Sequence, residues 1–209
     1  MNQTIAVEAY NLPDIRLLEK QTNQFLVWIP DKTYIVLGAS NQPNEALYAE
    51  KVIQDKITVL KRPSGGQTVV LTPNNLIISA VFFDKELLHP KEVFNNINLL
   101  IISVLEQSGI NNLSLKGISD IAISGKKILG SSIYRNKNAL LYHAVLNLSE
   151  SVSTFEKYLK YPSKEPDYRL GRSHSEFVTS LREKGFSDNY QQLANALSQS
   201  FSTFLFQNQ

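Results

Sequence analysis

The amino-acid sequence predicts an α+β fold, a mostly antiparallel mixed sheet flanked by helices, in a single domain over residues 1–209. Three observations carry this. Short apolar runs are punctuated by Pro, Asn, Asp and Gly turns, at residues 30–33 and 72–75 for example, and such pairs read as hairpins. One long amphipathic segment opens at Pro90 and stops before Gly109. Helical and strand patterns mix without the regular βαβ rhythm of a parallel doubly wound sheet.

Taken in order, residues 12–23 carry Leu12, Ile15, Leu17 and Leu18 among charged neighbours, with Pro13 suited to a first turn, and predict a short amphipathic helix. Residues 25–29 and 34–37 predict a hairpin. Asn44 is placed to cap a helix over 45–54, with Ala46, Ala49, Val52 and Ile53 inward. Residues 57–60, 67–71 and 76–83 read as strands. The stripe Val93, Ile97, Leu100, Ile101, Val104 and Leu105 predicts a helix over 90–108, with Gly109 as its stop. Strands follow at 118–123, 127–134 and 139–148. Helices are expected at 151–159, 173–184 and 189–206, after a proline-bearing connection at 161–167.

The composition narrows the chemistry. The chain has 209 residues, 43% of them apolar and 19% charged, with a net charge of +2. That balance suits a soluble globule rather than a strongly basic nucleic-acid binder. No run of eighteen apolar residues suggests a membrane span, and no basic, apolar leader opens the chain, so a cytoplasmic location is expected. The sequence holds no cysteine and 3 histidines. Disulfides, thiolate zinc sites and cysteine nucleophiles are thereby excluded, and a His-rich metal site is disfavoured.

Two stretches stand out chemically. The first is Lys61-Arg62-Pro63-Ser64-Gly65-Gly66-Gln67-Thr68. Paired glycines permit positive φ and leave room for a ligand to approach backbone N–H groups, and the planar fork of Arg62 suits a phosphate or carboxylate. A plain hairpin turn with a surface arginine has the same pattern. The second runs from Gly117 to Ser132. Asp120 is the lone acid in an apolar strand, fit for Mg²⁺, for a nucleotide, or for water at a strand end. Lys126 and Lys127 follow a Ser124-Gly125 turn. Alternation puts Lys127 on the face opposite Ile128 and Gly130, where an ammonium group could bind a carboxylate and neutralise an acyl-phosphate transition state. His143 fits an orienting role or a half-buried structural one. His174 lies near Arg169 at a helix start, where a phosphate site competes with a solvated loop. The stretch at 65–67 lacks the Gly-Lys-Ser/Thr of a P-loop, and no Ser-His-Asp arrangement is legible.

Together the two stretches resemble the catalytic domain shared by lipoate-protein ligases and biotin-protein ligases. The closer likeness is to the lipoate side, where an Arg-x-Ser-Gly-Gly-Gly turn precedes Asn-Asp and Gly-x-Lys-Ile-x-Gly-Ser. It runs from about Asn23 to about Asn147, and more loosely to the end. The resemblance implies the fold of that family, related to class II aminoacyl-tRNA synthetases. It also implies an ATP- and Mg²⁺-dependent ligase that forms lipoyl-AMP and passes the acyl group to a lysine of a lipoyl domain. The acceptor would belong to a 2-oxoacid dehydrogenase E2 or a glycine cleavage H protein.

By the same resemblance Lys127 contacts the lipoyl carboxylate and the AMP phosphate. Arg62, Ser64, Gly65, Gly66, Gln67, Gly130, Ser131, Ser132 and His143 line the substrate site. Asp120, Ser119 and Arg135 face the nucleotide, with Asp120 on the Mg²⁺ side. Gln67 departs from the third glycine and Leu71 from a frequent histidine, which reshapes the acyl pocket, and Ser119 departs from the usual asparagine, which bears on one polar contact to the nucleotide. A C-terminal accessory domain is not expected within 209 residues, so a partner subunit, preformed lipoyl-AMP or a compact ligase are the readings left open. A non-catalytic acyl- or adenylate-binding module is the alternative from another class. A biotin-protein ligase is weaker because the Gly-Arg-Gly-Arg turn is absent, and an octanoyltransferase is disfavoured without a cysteine.

Overall fold

The computed structural model describes residues 4–83, 89–186 and 190–207. Among the described residues ten strands form two sheets. The larger takes β2 (Gln24–Trp28), β6 (Asn75–Phe82), β7 (Leu113–Lys116), β8 (Asp120–Ile123), β9 (Lys126–Arg135) and β10 (Leu140–Asn147), in the spatial order β2-β6-β10-β9-β8-β7, and every pair is antiparallel. The smaller takes β1 (Val7–Ala9), β3 (Tyr34–Leu37), β4 (Thr58–Lys61) and β5 (Val69–Leu71), in the order β1-β4-β3-β5, with β4 parallel to both of its neighbours. The α+β expectation therefore holds.

Two long helices cover one face of the six-stranded sheet. α3 (Pro90–Gln107) starts on its proline and buries Val93, Ile97, Ile101, Val104 and Leu105, the stripe read from the sequence. α6 (Tyr190–Gln207) buries Leu193, Leu197, Phe201 and Leu205 beside it. Both pack on Leu76, Ile78, Ala80, Tyr142, Ala144 and Leu146 of the central strands. Each such aliphatic side chain contributes about 1.5–3 kcal/mol by leaving water. The alternate residues Ile77 and Val145 face the other way and join Val36, Leu60 and Leu71 of the smaller sheet. A cleft opens between the two sheets.

Several local expectations are corrected. The short helix expected over residues 12–23 is narrower, a 3-10 helix over Pro13–Glu19. The strands at 25–29 and 34–37 do not pair as a hairpin: β2 joins β6 and β3 joins β4, so residues 30–33 carry the chain between sheets. Periodicity reports which residues are buried but not which strand they pair with. The helix expected over 45–54 is split into α1 (Pro43–Ala46) and α2 (Ala49–Gln54), because Leu47 turns extended and bridges to Leu159. α4 (Val152–Tyr158) matches its expectation, with Ser151 capping through its hydroxyl. Over 173–184 only α5 (His174–Phe177) is α-helical, opened by a Ser173–Glu176 capping box. Val178 then pairs with Lys127, and Arg182–Lys184 forms a 3-10 turn. The strand expected from residue 67 begins at Val69, and the one expected from residue 118 begins at Asp120. The expected start of the last helix at Asn189 lies outside the described residues. Strands β1 and β7 are additions.

Candidate active site

The second lysine of the motif sits at a bulge. Asp120 pairs with Gly130 and Ile121 with Leu129, but Ala122 pairs with Lys127, leaving Ile128 as the extra residue on β9. Asp120 and Ala122 share a face of β8, so the bulge brings Lys127 to the same face as Gly130. Plain alternation had set it on the opposite one. Lys127 Nζ lies 2.8 Å from Asp120 Oδ1, and Tyr168 donates its hydroxyl to Asp120 Oδ2 at 2.8 Å. Burial and the neighbouring Asp120 push the Tyr168 phenol well above its ordinary pKa, so it remains a donor. Both oxygens of Asp120 are thus engaged by protein donors. Among the described residues no group of three or more His, Cys, Asp or Glu side chains converges on a cation site, so the protein builds no cage for the expected Mg²⁺ around Asp120.

The Ser-Gly-Gly turn packs against this strand from the smaller sheet. Arg62 is buried, and its guanidinium is used internally: Nε donates to Ser64 Oγ at 2.9 Å, one terminal nitrogen to the Val36 carbonyl at 3.2 Å, and the other to the carbonyls of Gly65 and Gln67 at 2.8 and 2.9 Å. Burial lowers its pKa to about 10, which leaves it charged at neutral pH. Arg62 therefore folds the turn around itself instead of presenting a free fork to a ligand. Gly38 completes the fit. A Cβ there would stand 2.0 Å from the Gly66 carbonyl oxygen, so the 38–41 loop and the turn touch backbone to backbone. Ala39 N–H donates to the Ser64 carbonyl in the same place.

Ser64 leads into a buried network that the sequence did not disclose. Its Oγ lies 2.6 Å from His143 Nε2, and His143 Nδ1 lies 3.2 Å from Asp14 Oδ2. Asp14, fully buried on the 3-10 segment, also accepts from Tyr10 at 2.8 Å and Ser79 at 3.2 Å. Ser132 Oγ lies 3.1 Å from Ser64 Oγ. Register explains the meeting: Ser79, His143 and Ser132 lie directly opposite one another on β6, β10 and β9.

These parts border one cleft of about 750 Å³. Its walls include Gly66, Gln67, Lys127, Gly130, Ser132 and His143, with Ser119, Asp120 and Ser131 at one side. Ser131 turns its hydroxyl away to the Ser119 carbonyl at 2.7 Å. Arg135 is not brought to the cleft: it is exposed, eight residues beyond Lys127 on β9, about 26 Å along an extended chain. Residues 161–178 close the far side. Arg169, read from sequence only as a neighbour of His174, lies between the rings of Tyr161 and Phe177, with centroid distances of 4.6 and 4.9 Å. One terminal nitrogen of Arg169 and Nε2 of His174 are buried on this wall without a hydrogen-bond partner among the described residues. Burial, then the charge of Arg169, lowers the His174 pKa, so this ring is neutral near pH 7. A phosphate would find one uncommitted donor here, the Arg169 nitrogen, since the neutral His174 ring holds its N–H toward the Lys160 backbone.

Residues 2–202 match the family model described as the lipoyl protein ligase A/B catalytic domain. The chain belongs to this family. Lipoate-protein ligase LplJ of Bacillus subtilis is 26% identical over 137 residues, 66% of this chain and 40% of that protein. The chain spans less than half the length of the curated relatives it matches. Among solved structures, the bipartite lipoate protein ligase of Thermoplasma acidophilum, studied with its E2 lipoyl domain, superposes with a TM-score of 0.76 at 20% identity, covering 92% of this chain and 76% of that one. Lipoate-protein ligase A bound with ATP gives 0.74 at 20% identity, covering 88% and 73%. The ligase-family fold expected from the Ser-Gly-Gly turn and the lysine strand is thereby shown. Among the described residues no helix is long and apolar enough to cross a membrane.

Proposed function

We propose that this chain carries the catalytic site of a cytoplasmic, ATP-dependent lipoate-protein ligase. The observation that carries the reading is Lys127, whose ammonium is held by Asp120 over the bare backbone of Gly130 at the edge of a cleft large enough for an acyl-adenylate. An acyl-adenylate forms and breaks through transition states with charge on carboxylate and phosphate oxygens. A fixed cation and oriented N–H groups stabilise such charge without a covalent nucleophile. In the first half-reaction the lipoate carboxylate displaces pyrophosphate from the α-phosphate of ATP. In the second, a lysine amine of a lipoyl domain, of an E2 or H protein, displaces AMP. Lys127 would neutralise the carboxylate and then the departing phosphate. Gly66 and Gln67 would border the acyl chain, and Asp120 and Ser119 the nucleotide. Mg²⁺ would arrive on the ATP phosphates rather than on a protein-built site.

The test is mass spectrometry of a lipoyl domain incubated with the purified chain, lipoate, ATP and Mg²⁺. The expected result is a lipoyl mass increment that Lys127→Ala removes. Full activity in that variant sinks the assignment. Because the matched region is less than half of its curated relatives, a second arm supplies synthetic lipoyl-AMP. Transfer in that arm alone would assign adenylation to a partner subunit. Binding of lipoyl-AMP with no transfer would leave a non-catalytic carrier. A ligand held at a hundred times its Kd raises stability by about 2.7 kcal/mol, so thermal shift reads binding directly.

A further inference from the structure

We propose that Ser132, Ser64, His143 and Asp14 form a proton-accepting chain that removes the proton shed by the attacking amine in acyl transfer. The inference rests on the ligase reading for its substrate and on donor–acceptor accounting for its direction. The Asp14 carboxylate can only accept, and Tyr10, Ser79 and His143 all converge on it from different elements. Burial and the adjacent carboxylate hold the Tyr10 phenol far above its ordinary pKa, so Tyr10 is a donor there and not a base.

His143 must then carry its proton on Nδ1, which leaves Nε2 as an acceptor. Ser64 lies 2.6 Å from that nitrogen and donates its hydroxyl to it. The Ser64 oxygen in turn accepts from Arg62 Nε and is free to accept from Ser132. Ser64 and Asp14 do not border the cleft, whereas Ser132 does. The chain thus ends at the cleft in a serine oxygen whose own proton points inward.

The consequence is directional. With His143 neutral, Ser132 accepts from the cleft. With His143 protonated, the Nε2–Ser64 and Ser64–Ser132 hydrogen bonds reverse and Ser132 donates to the cleft, while Nδ1–H still donates to Asp14. A neutral lysine amine attacking lipoyl-AMP forms a C–N bond, the acyl C–O bond to phosphate breaks, and AMP leaves with the electron pair. The surplus N–H proton passes to Ser132 Oγ as the Ser132 proton moves to Ser64 and the Ser64 proton to His143 Nε2. Buried Asp14 balances the imidazolium, which later returns its proton to solvent. Adenylation sheds no N–H proton and does not use the chain. The groups facing His143 are Asp14 and Tyr10 on the N-terminal side, Arg62 and Ser64 on the turn, Ser79 on β6 and Ser132 on β9. Asp14 and Arg62 bring opposing charges, and only Asp14 touches the ring. His143 and Asp14 are positioning residues, since they act through the two serines.

Two readouts test the proposal. The first is independent of activity: ¹⁵N shifts of the His143 ring in the free protein. The expected form is protonated on Nδ1 and bare on Nε2, and the opposite tautomer overturns the chain. The second compares half-reactions. Ser132→Ala, a change to a half-buried residue on the cleft wall, should lower transfer from lipoyl-AMP to a lipoyl domain by on the order of 100-fold, far more than it lowers ATP-dependent pyrophosphate release. Hydroxylamine, whose attacking nitrogen gives up its proton to water unaided, should restore aminolysis in this variant. A uniform fall in both half-reactions would make the network structural only and overturn the relay. No pyrophosphate release and no transfer by the unmodified chain would instead sink the ligase reading, with the tautomer still judged separately.

Discussion

Lys127 Nζ occupies the space that a side chain at Gly130 would need. A Cβ built on Gly130 falls 2.6 Å from that nitrogen and 2.7 Å from Cε. The obstacle is the far end of a flexible lysine, and Gly130 adopts an ordinary β-strand conformation, so Gly130→Ala should fold normally. It should displace the ammonium by about an ångström, and misplacement on that scale costs on the order of 100-fold in rate. Thermal melts alongside transfer assays check this. A variant with an unchanged melt and unchanged activity would show that the contact has no functional consequence.

Gly38→Ala should behave in the opposite way. Its new methyl meets the Gly66 carbonyl, which is backbone and is held in a turn wound around Arg62. Overpacking of this kind costs about 1–3 kcal/mol. A lower melting temperature is expected, together with weaker lipoyl-AMP stabilisation in thermal shift.

Tyr168 ties the 161–173 segment to β8 through Asp120. Tyr168→Phe removes one hydrogen bond to a carboxylate, worth about 1 kcal/mol when partly exposed. Hydrogen exchange in this segment should quicken by roughly fivefold, while α3 remains protected. Equal protection in both proteins would show that the tether does not govern opening.

Glu150 holds the turn before β6 to the start of α4. Burial raises its pKa, but hydrogen bonds from Thr154, Thr72, Asn74 and the Ser151 N–H outweigh that and lower it overall. A carboxylate with a lowered folded-state pKa stabilises fully above its unfolded pKa, about 4.3. That contribution fades as pH falls through the folded value. The gap in melting temperature between the native chain and Glu150→Gln should be widest at pH 7 and shrink below about pH 4.3. A gap that stays constant with pH would assign the effect to packing.

How far the sequence carried this structure depends on the range of each interaction. The stripe from Val93 to Leu105, the Ser64-Gly65-Gly66 turn and the Asp120–Lys127 strand pair are written in local periodicity and turn chemistry, and each forms near its expected place. The division of residues 25–37 between two sheets was not legible, because alternation marks a buried face without naming a partner. The bulge at Ile128 was hidden for a related reason: one extra residue changes which face Lys127 joins, and composition does not register it. Arg62 read as a ligand-binding fork because arginine suits that task, yet nearby carbonyls saturate most of its donors. Asp14 went unnoticed, since a single acid in a short helical pattern points to solvent unless its distant partners are known.

Asp14 and His143 are separated by 129 positions, and this has a bearing on how the protein is made. Closing so long a loop is entropically expensive and comes late unless nearer contacts shorten it first. While the chain is still leaving the ribosome, the N-terminal segment holds a carboxylate whose imidazole partner does not yet exist, in a surround that becomes apolar only after β6 and β10 pair. The direction given to the Ser64 hydroxyl therefore rests on a contact that local sequence cannot supply, and a nascent chain halted short of residue 143 would lack the imidazole that sets it.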